Sequence, residues 1–144
     1  MPASKIYIYI HLIWSTKKEA PRLSGSLRRV LFPQIKQHAE ARGLNVIVIN
    51  GMDDHIHCLI KLLPVQNVTD SVKFLKTFSA SWLNESKIMK EPFEWPDEYW
   101  GYSVSPNNID KVTDYINGQE EYHRTRSFDE EMDMINQLNP GSDQ

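Results

Sequence analysis

Residues 5–14, Lys-Ile-Tyr-Ile-Tyr-Ile-His-Leu-Ile-Trp, alternate with a period of two. Ile6, Ile8, Ile10, Leu12 and Trp14 fall on one side, Tyr7, Tyr9, His11 and Ile13 on the other. A run of β-branched and aromatic residues with that period is a strand. A polar loop with Pro21 follows. From Ser24 the apolar residues Leu27, Val30, Leu31, Ile35 and Ala39 keep helical spacing up to Gly43, with Pro33 allowing a kink or a late start. Leu44 to Ile49 reads as a second strand ended by Asn50-Gly51, and residues 55–62 as a third, with Ile56, Cys58, Ile60 and Leu62 on one face. Val68 to Trp82 is the second helix. Residues 85–98 form an acidic loop, Trp100 to Val104 a fourth strand and Ile109 to Arg124 a third helix. The last 18 residues read as a weak helix and a frayed tail. The order β-α-β-β-α-β-α predicts an α+β, ferredoxin-like four-stranded antiparallel sheet (βαββαβ), with two helices on one face and an added C-terminal helix. The expected division is a domain over residues 1–128 and an acidic tail over 129–144.

Of the 144 residues, 40% are hydrophobic and 24% charged, which suits one globular domain. A single cysteine, Cys58, excludes a disulfide scaffold and a cysteine-based zinc cluster. No apolar run approaches the roughly 18–20 residues of a membrane span. The N-terminus lacks the pattern of a signal peptide, so a cytoplasmic location is expected. The net charge of −3 is unevenly spread. Five of the 19 acids lie in residues 127–144, leaving 14 against all 16 basic residues in 1–126, a net of +2. Lys17, Lys18, Arg22, Lys73, Lys76, Arg124 and Arg126 are candidates for phosphate contacts, although such groups also occur as plain solvated faces.

The sharpest local feature is Asp53-Asp54-His55-Ile56-His57. Two histidines two apart on a strand leave the same face, about 6.5–7 Å apart by the strand rise, and can converge on one cation. Two exposed sheet-face histidines with no ligand role are the plain alternative. On the third helix, Tyr115 and Gln119 are four apart and stack on one face, and Tyr122 continues that stripe. Tyrosine there can equally be a packing residue at the edge of the core.

Together, a strand-borne His-Ile-His and, 58 residues later, a helix-borne tyrosine with Gln four further on resemble one family. It is the small single-tyrosine HUH transposases of the insertion-sequence-200/605 type. His11 to Lys17 resembles that family's first strand, Asn50 to Ile60 its HUH strand, Lys73 to Ser79 with Trp82-Leu83-Asn84 its second helix, and Trp95 to Ser105 the lead-in to its fourth strand. The resemblance covers residues 5–128. Two features depart from it: Asp53 stands where a proline is usual, and the isoelectric point near 5.9 is low for a DNA-binding enzyme.

The resemblance implies cutting and rejoining of single-stranded DNA at hairpin-marked ends. It makes Tyr115 the nucleophile, giving a 5′-phosphotyrosine and a free 3′-hydroxyl. It makes His55, His57 and Gln119 the ligands of one Mg²⁺ or Mn²⁺, with zinc the rival on ligand chemistry. It also implies a homodimer in which the tyrosine helix can dock on the partner, and the short link Ser105-Pro106-Asn107-Asn108 fits a fixed exchange. Alternatives are a domesticated transposase associated with repetitive palindromes, a rolling-circle initiator, for which 144 residues leave too little room, and a non-catalytic hairpin-binding module.

Overall fold

The computed structural model describes residues 5–138. In chain order the elements are β1 (Ile8–Ser15), α1 (Gly25–Ala41), β2 (Asn45–Gly51), β3 (His55–Leu62), α2 (Val68–Glu85), β4 (Trp100–Val104), a 3₁₀ turn (Pro106–Asn108), α3 (Ile109–Asn117), α4 (Gln119–Tyr122) and α5 (Phe128–Leu138). The strands form one antiparallel sheet in the order β2-β3-β1-β4, the ferredoxin-like arrangement. No helix among the described residues is long and apolar enough to cross a membrane.

Period-two alternation divides the sheet into two chemically different faces. On one, Leu12 and Trp14 of β1 and Ile56, Cys58 and Ile60 of β3 pack against Leu27, Leu31, Ile35 and Ala39 of α1 and Val72, Leu75 and Leu83 of α2. Ser24 caps α1, its side chain accepting from the Leu27 amide at 3.2 Å, and Asn67 caps α2 through the Asp70 amide at 2.8 Å. Pro33 lies within α1, which runs on through it to Ala41. On the other face, Leu59 and Val48 meet Ile116 of α3, and the histidines of β1 and β3 lie beside them. Helices α1 and α2 thus carry the main core, while α3, α4 and α5 cover the opposite side.

Two expectations need adjusting. The third helix is broken at Gly118, which leaves α3 and α4 as separate segments. The C-terminal stretch departs further. Residues 128–138 form α5, and its Glu131 and Met132 are buried rather than part of an acidic tail in solvent. The remainder of the expected tail, 139–144, lies outside the described residues. At the start of β1, Ile6 and Ile8 are exposed, so the inward face begins at Ile10.

The β2–β3 connection sets the position of the site. Met52 N donates to the His55 carbonyl at 3.0 Å, while the Asp53 and Asp54 carbonyls accept from Leu23 N and Thr16 N, both at 2.8 Å. Gly51 sits at the narrowest point. A Cβ added there would collide with the His55 carbonyl oxygen and lie 2.9 Å from Ile56 Cα. Both obstacles are backbone and cannot swing away. Gly51→Ala is therefore expected to lower unfolding stability by about 1–3 kcal/mol, measured by urea denaturation. Wild-type stability in that variant would show that the hairpin has room to open.

Candidate metal and nucleophile site

His55 and His57 leave β3 on the face away from α1 and α2, and both are fully buried. His11 of β1 joins them. Its Nε2 lies 2.8 Å from His57 Nδ1, so one of the two nitrogens donates to the other. His55 is held differently. Its Nδ1 donates to Asp54 Oδ1 at 2.7 Å, and Asp54 also faces Arg22. That bond turns His55 Nε2 inward, toward Gln119 Oε1 at 2.8 Å. Second partners of this kind fix the orientation of metal-binding imidazoles.

Helix α3 supplies Tyr115, whose ring stands edge-on to His57 at 5.7 Å between centroids. The Asn50 amide of β2 donates to the carbonyls of Ile116 at 2.9 Å and Asn117 at 3.3 Å, which pins the last turn of α3 to the sheet. Gln119 follows at the start of α4 and is fully buried. The four residues singled out from the sequence thus meet within one chain.

A further member is Glu131. It comes from α5 and has no exposed surface. Its carboxylate accepts hydrogen bonds from the Tyr115 hydroxyl and, at 2.9 Å, from Gln119 Nε2. Its oxygens lie 3.2 Å from His55 Nε2, 3.3 Å from His57 Nε2 and 2.9 Å from His123 Nε2. Helix α5 is anchored by Phe128 against His55 and Trp100, and by the Tyr102 hydroxyl on Asn136. Sequence reasoning set Glu131 aside among five tail acids. The available clue was the amphipathic pattern of Phe128, Met132 and Ile135, which puts Glu131 beside the buried stripe.

Burial disfavours charge on His55, but hydrogen bonds to Asp54 and Glu131 outweigh it and raise its pKa to about 9. Burial lowers His57 to about 4 and His11 to about 3. Burial and the facing Glu131 carboxylate raise the Tyr115 phenol above its ordinary value. For Glu131, burial is overcome by the hydrogen bond from His55, the facing His57 imidazole and the hydrogen bond from Tyr115, which hold the carboxyl well below the usual range.

The residues suit a divalent cation. His57 Nε2 is fully buried, points into the cluster and has no hydrogen-bond partner among the described residues. Ligand atoms of His55, His57 and Glu131 all lie within 4.8 Å of one another. Imidazole nitrogens with carboxylate and amide oxygens form a set that accepts Mn²⁺ or Mg²⁺.

The basic candidates divide into three places. Lys17, Lys18 and Arg22 line a groove of about 730 Å³ that reaches Asp54, Trp100 and Phe128 beside the site. Lys73 and Lys76 stand on α2 in a separate depression, where Lys76 also binds the carbonyls of Pro96 and Glu98. Arg124 pairs with Glu121, and Arg126 lies over the Tyr122 ring.

A ferredoxin-like sheet with a buried histidine pair on one strand and a tyrosine helix across it defines the architecture of a tyrosine transposase. The family model for IS200-like transposases matches residues 4–119, and the chain belongs to that family. It is 31% identical over 127 residues to the ISDra2 transposase TnpA of Deinococcus radiodurans, covering 83% of this chain and 91% of that one. It is 27% identical over 114 residues to the transposase of insertion sequence IS200 of Salmonella typhimurium, covering 76% of this chain and 74% of that one. A crystal structure of a candidate transposase from Deinococcus radiodurans superposes with a TM-score of 0.65 at 26% identity, covering 83% and 95% of the two chains. The fold is shared, at 12% identity and a TM-score of 0.60, with a tyrosine transposase solved bound to a REP hairpin, over 85% of this chain and 74% of that one.

The shifted histidines make stability pH-dependent. His55, raised from 6.5 to about 9, contributes stability that is complete below pH 6.5 and lost as pH rises to about 9. His57 and His11, lowered to about 4 and 3, oppose folding increasingly as pH falls below 6.5. With divalent ions removed by chelator, the thermal midpoint is expected to peak near pH 6.5 and fall on both sides. A midpoint that rises steadily from pH 6.5 to 9 would contradict the assignment for His55.

Proposed function

We propose that this chain cuts and rejoins single-stranded DNA at hairpin-marked ends through a 5′-phosphotyrosine on Tyr115. The convergence of Tyr115 with His55, His57 and Gln119 in one buried cluster, in a chain of the transposase family, carries this reading. Tyr115 Oη attacks the scissile phosphorus. The bond from phosphorus to the 3′-oxygen breaks, and that oxygen leaves and takes up a proton from water to give a 3′-hydroxyl. The phenol proton lies on the hydrogen bond to Glu131, along which it can leave as the new phosphorus–oxygen bond forms. The covalent ester retains the bond for rejoining, so the reaction needs no external energy source.

His55, His57 and Gln119 are the proposed holders of a Mg²⁺ or Mn²⁺ ion. When bound, such an ion stabilises negative charge on the phosphate oxygens and orients the scissile bond. Asp54 and His11 keep the two imidazoles aimed inward. Lys17, Lys18 and Arg22 are proposed to bind the DNA backbone, because their groove leads to the site. Lys73, Lys76, Arg124 and Arg126 remain proposed phosphate contacts farther out. The protein is proposed to act as a homodimer whose two sites are each built in cis, since one chain contains the nucleophile and all three ligands.

Tyr115→Phe is expected to abolish the covalent protein–DNA adduct while leaving hairpin binding within about two-fold, because only the hydroxyl is lost and side-chain packing is kept. The adduct is read on denaturing gels with an end-labelled strand. Adduct formation by the variant would shift the nucleophile to Tyr122, whose ring lies 5.7 Å from that of Tyr115.

A chain-mixing experiment addresses the cis arrangement. His57→Ala and Tyr115→Phe proteins, each inactive, are exchanged into heterodimers. With sites in cis every site lacks one essential group, and the mixture is expected to stay inactive. Recovered cleavage would show that the tyrosine helix crosses to the partner.

A further inference from the structure

Helix α5 lies beyond residues 4–119, the part of the chain that the family model matches, and so do His123 and Glu131. Yet both groups enter the cluster. The hydrogen-bond directions around them define a requirement. His55 Nδ1 donates to Asp54, so its Nε2, facing Gln119 Oε1 and Glu131 Oε1, is a donor only when the ring carries a second proton and otherwise sets a lone pair against theirs. His123 Nδ1 donates to the Arg126 carbonyl at 2.8 Å, which leaves its Nε2 presenting a lone pair to Glu131 Oε1 and Gln119 Oε1. Lone pairs facing lone pairs repel, so a positive charge must lie among them. One proton satisfies one nitrogen. A divalent ion satisfies several at once, and the unpartnered, fully buried Nε2 of His57 points to the same place.

Among the described residues Glu131 is the one carboxylate at that place. Its ligand atom is within 4.8 Å of those of His55 and His57. Gln119 is arranged to serve both groups: its amide nitrogen donates to Glu131 Oε2 at 2.9 Å, while its carbonyl oxygen turns toward His55. An amide so placed holds the carboxylate in line with its own oxygen.

We propose that Glu131 is an additional, anionic ligand of the divalent ion, so that the centre consists of two imidazoles, an amide oxygen and a carboxylate completed by α5. This rests on the metal-dependent reading above. The consequence is chemical. A neutral set of two imidazoles and an amide leaves both charges of the ion uncompensated in a buried site, and one carboxylate removes half of that excess. The site then holds its ion without DNA, rather than gathering it only together with a phosphate.

The test is direct binding of Mn²⁺ to the full-length, DNA-free protein, read from the electron paramagnetic resonance signal of free Mn²⁺. The same titration is run on Glu131→Gln and Glu131→Asp, and Co²⁺ visible spectra report the ligand set. Wild type is expected to bind one Mn²⁺. Glu131→Gln should bind at least about 10-fold more weakly, and Glu131→Asp, which keeps the charge, should fall between them with an altered Co²⁺ band. Circular dichroism in chelator identifies a variant that has lost its fold, and Glu131→Asp then carries the test alone. Equal or tighter Mn²⁺ binding by Glu131→Gln, with an unchanged Co²⁺ spectrum, would overturn the assignment and make the carboxylate a competitor of the ion. Absence of Mn²⁺ binding by wild type would instead overturn the metal-dependent reading itself.

Discussion

A carboxylate with no exposed surface, held among imidazoles, an amide and a phenol, organises one whole side of this molecule. An uncompensated charge in that position would cost several kcal/mol. The cluster compensates it from three directions at once. Histidines come from the strands, Tyr115 and Gln119 from α3 and α4, and His123 from the turn that follows. These elements are therefore tied together through Glu131 as well as through the apolar patch around Val48, Leu59 and Ile116 and the contact of Phe128 with Trp100.

The opposite face has a different basis. There α1 and α2 bury a continuous apolar core against the same strands. Cys58 belongs to it, its thiol pushed up to about 12 by burial, one residue from His57. The sheet acts as a partition, with dry packing on one side and a polar, chemically competent cluster on the other. Rigidity of the first supports placement of the second, because histidines on a strand anchored from behind have little freedom to move. Trp14 and Trp95, packed edge to face within that core, are structural, whereas Trp100 lies in contact with Phe128 beside the site.

Much of this was legible in the sequence because two periodicities carry it. Alternation in β1 and β3 gave the strands and placed His55 and His57 on one face, opposite Ile56 and Cys58. Helical spacing placed Tyr115 and Gln119 together. Gly118 stands where α3 gives way to α4, a break that the helical spacing over residues 109–124 does not show. What stayed hidden depended on long-range contact. His11 looked like one residue of an alternating strand, and its bond to His57 spans 46 positions. Glu131 looked like a solvated acid because acids in an acidic segment usually are. Its burial follows from where α5 docks, which local composition does not encode. Lys76 shows the reverse effect, since a charge read as free for phosphate also ties down the loop before β4.

Because the core and the reactive cluster occupy the two sides of the same strand, β3 obeys a rule of parity. Shifting its register by one residue would turn both imidazoles into the apolar layer and Ile56 and Cys58 toward the cluster, whereas a shift by two preserves the sidedness. Drift in this stretch is therefore confined to exchanges of side chains or even-numbered changes in length. The Gly51 hairpin, by fixing where β3 begins, keeps the count.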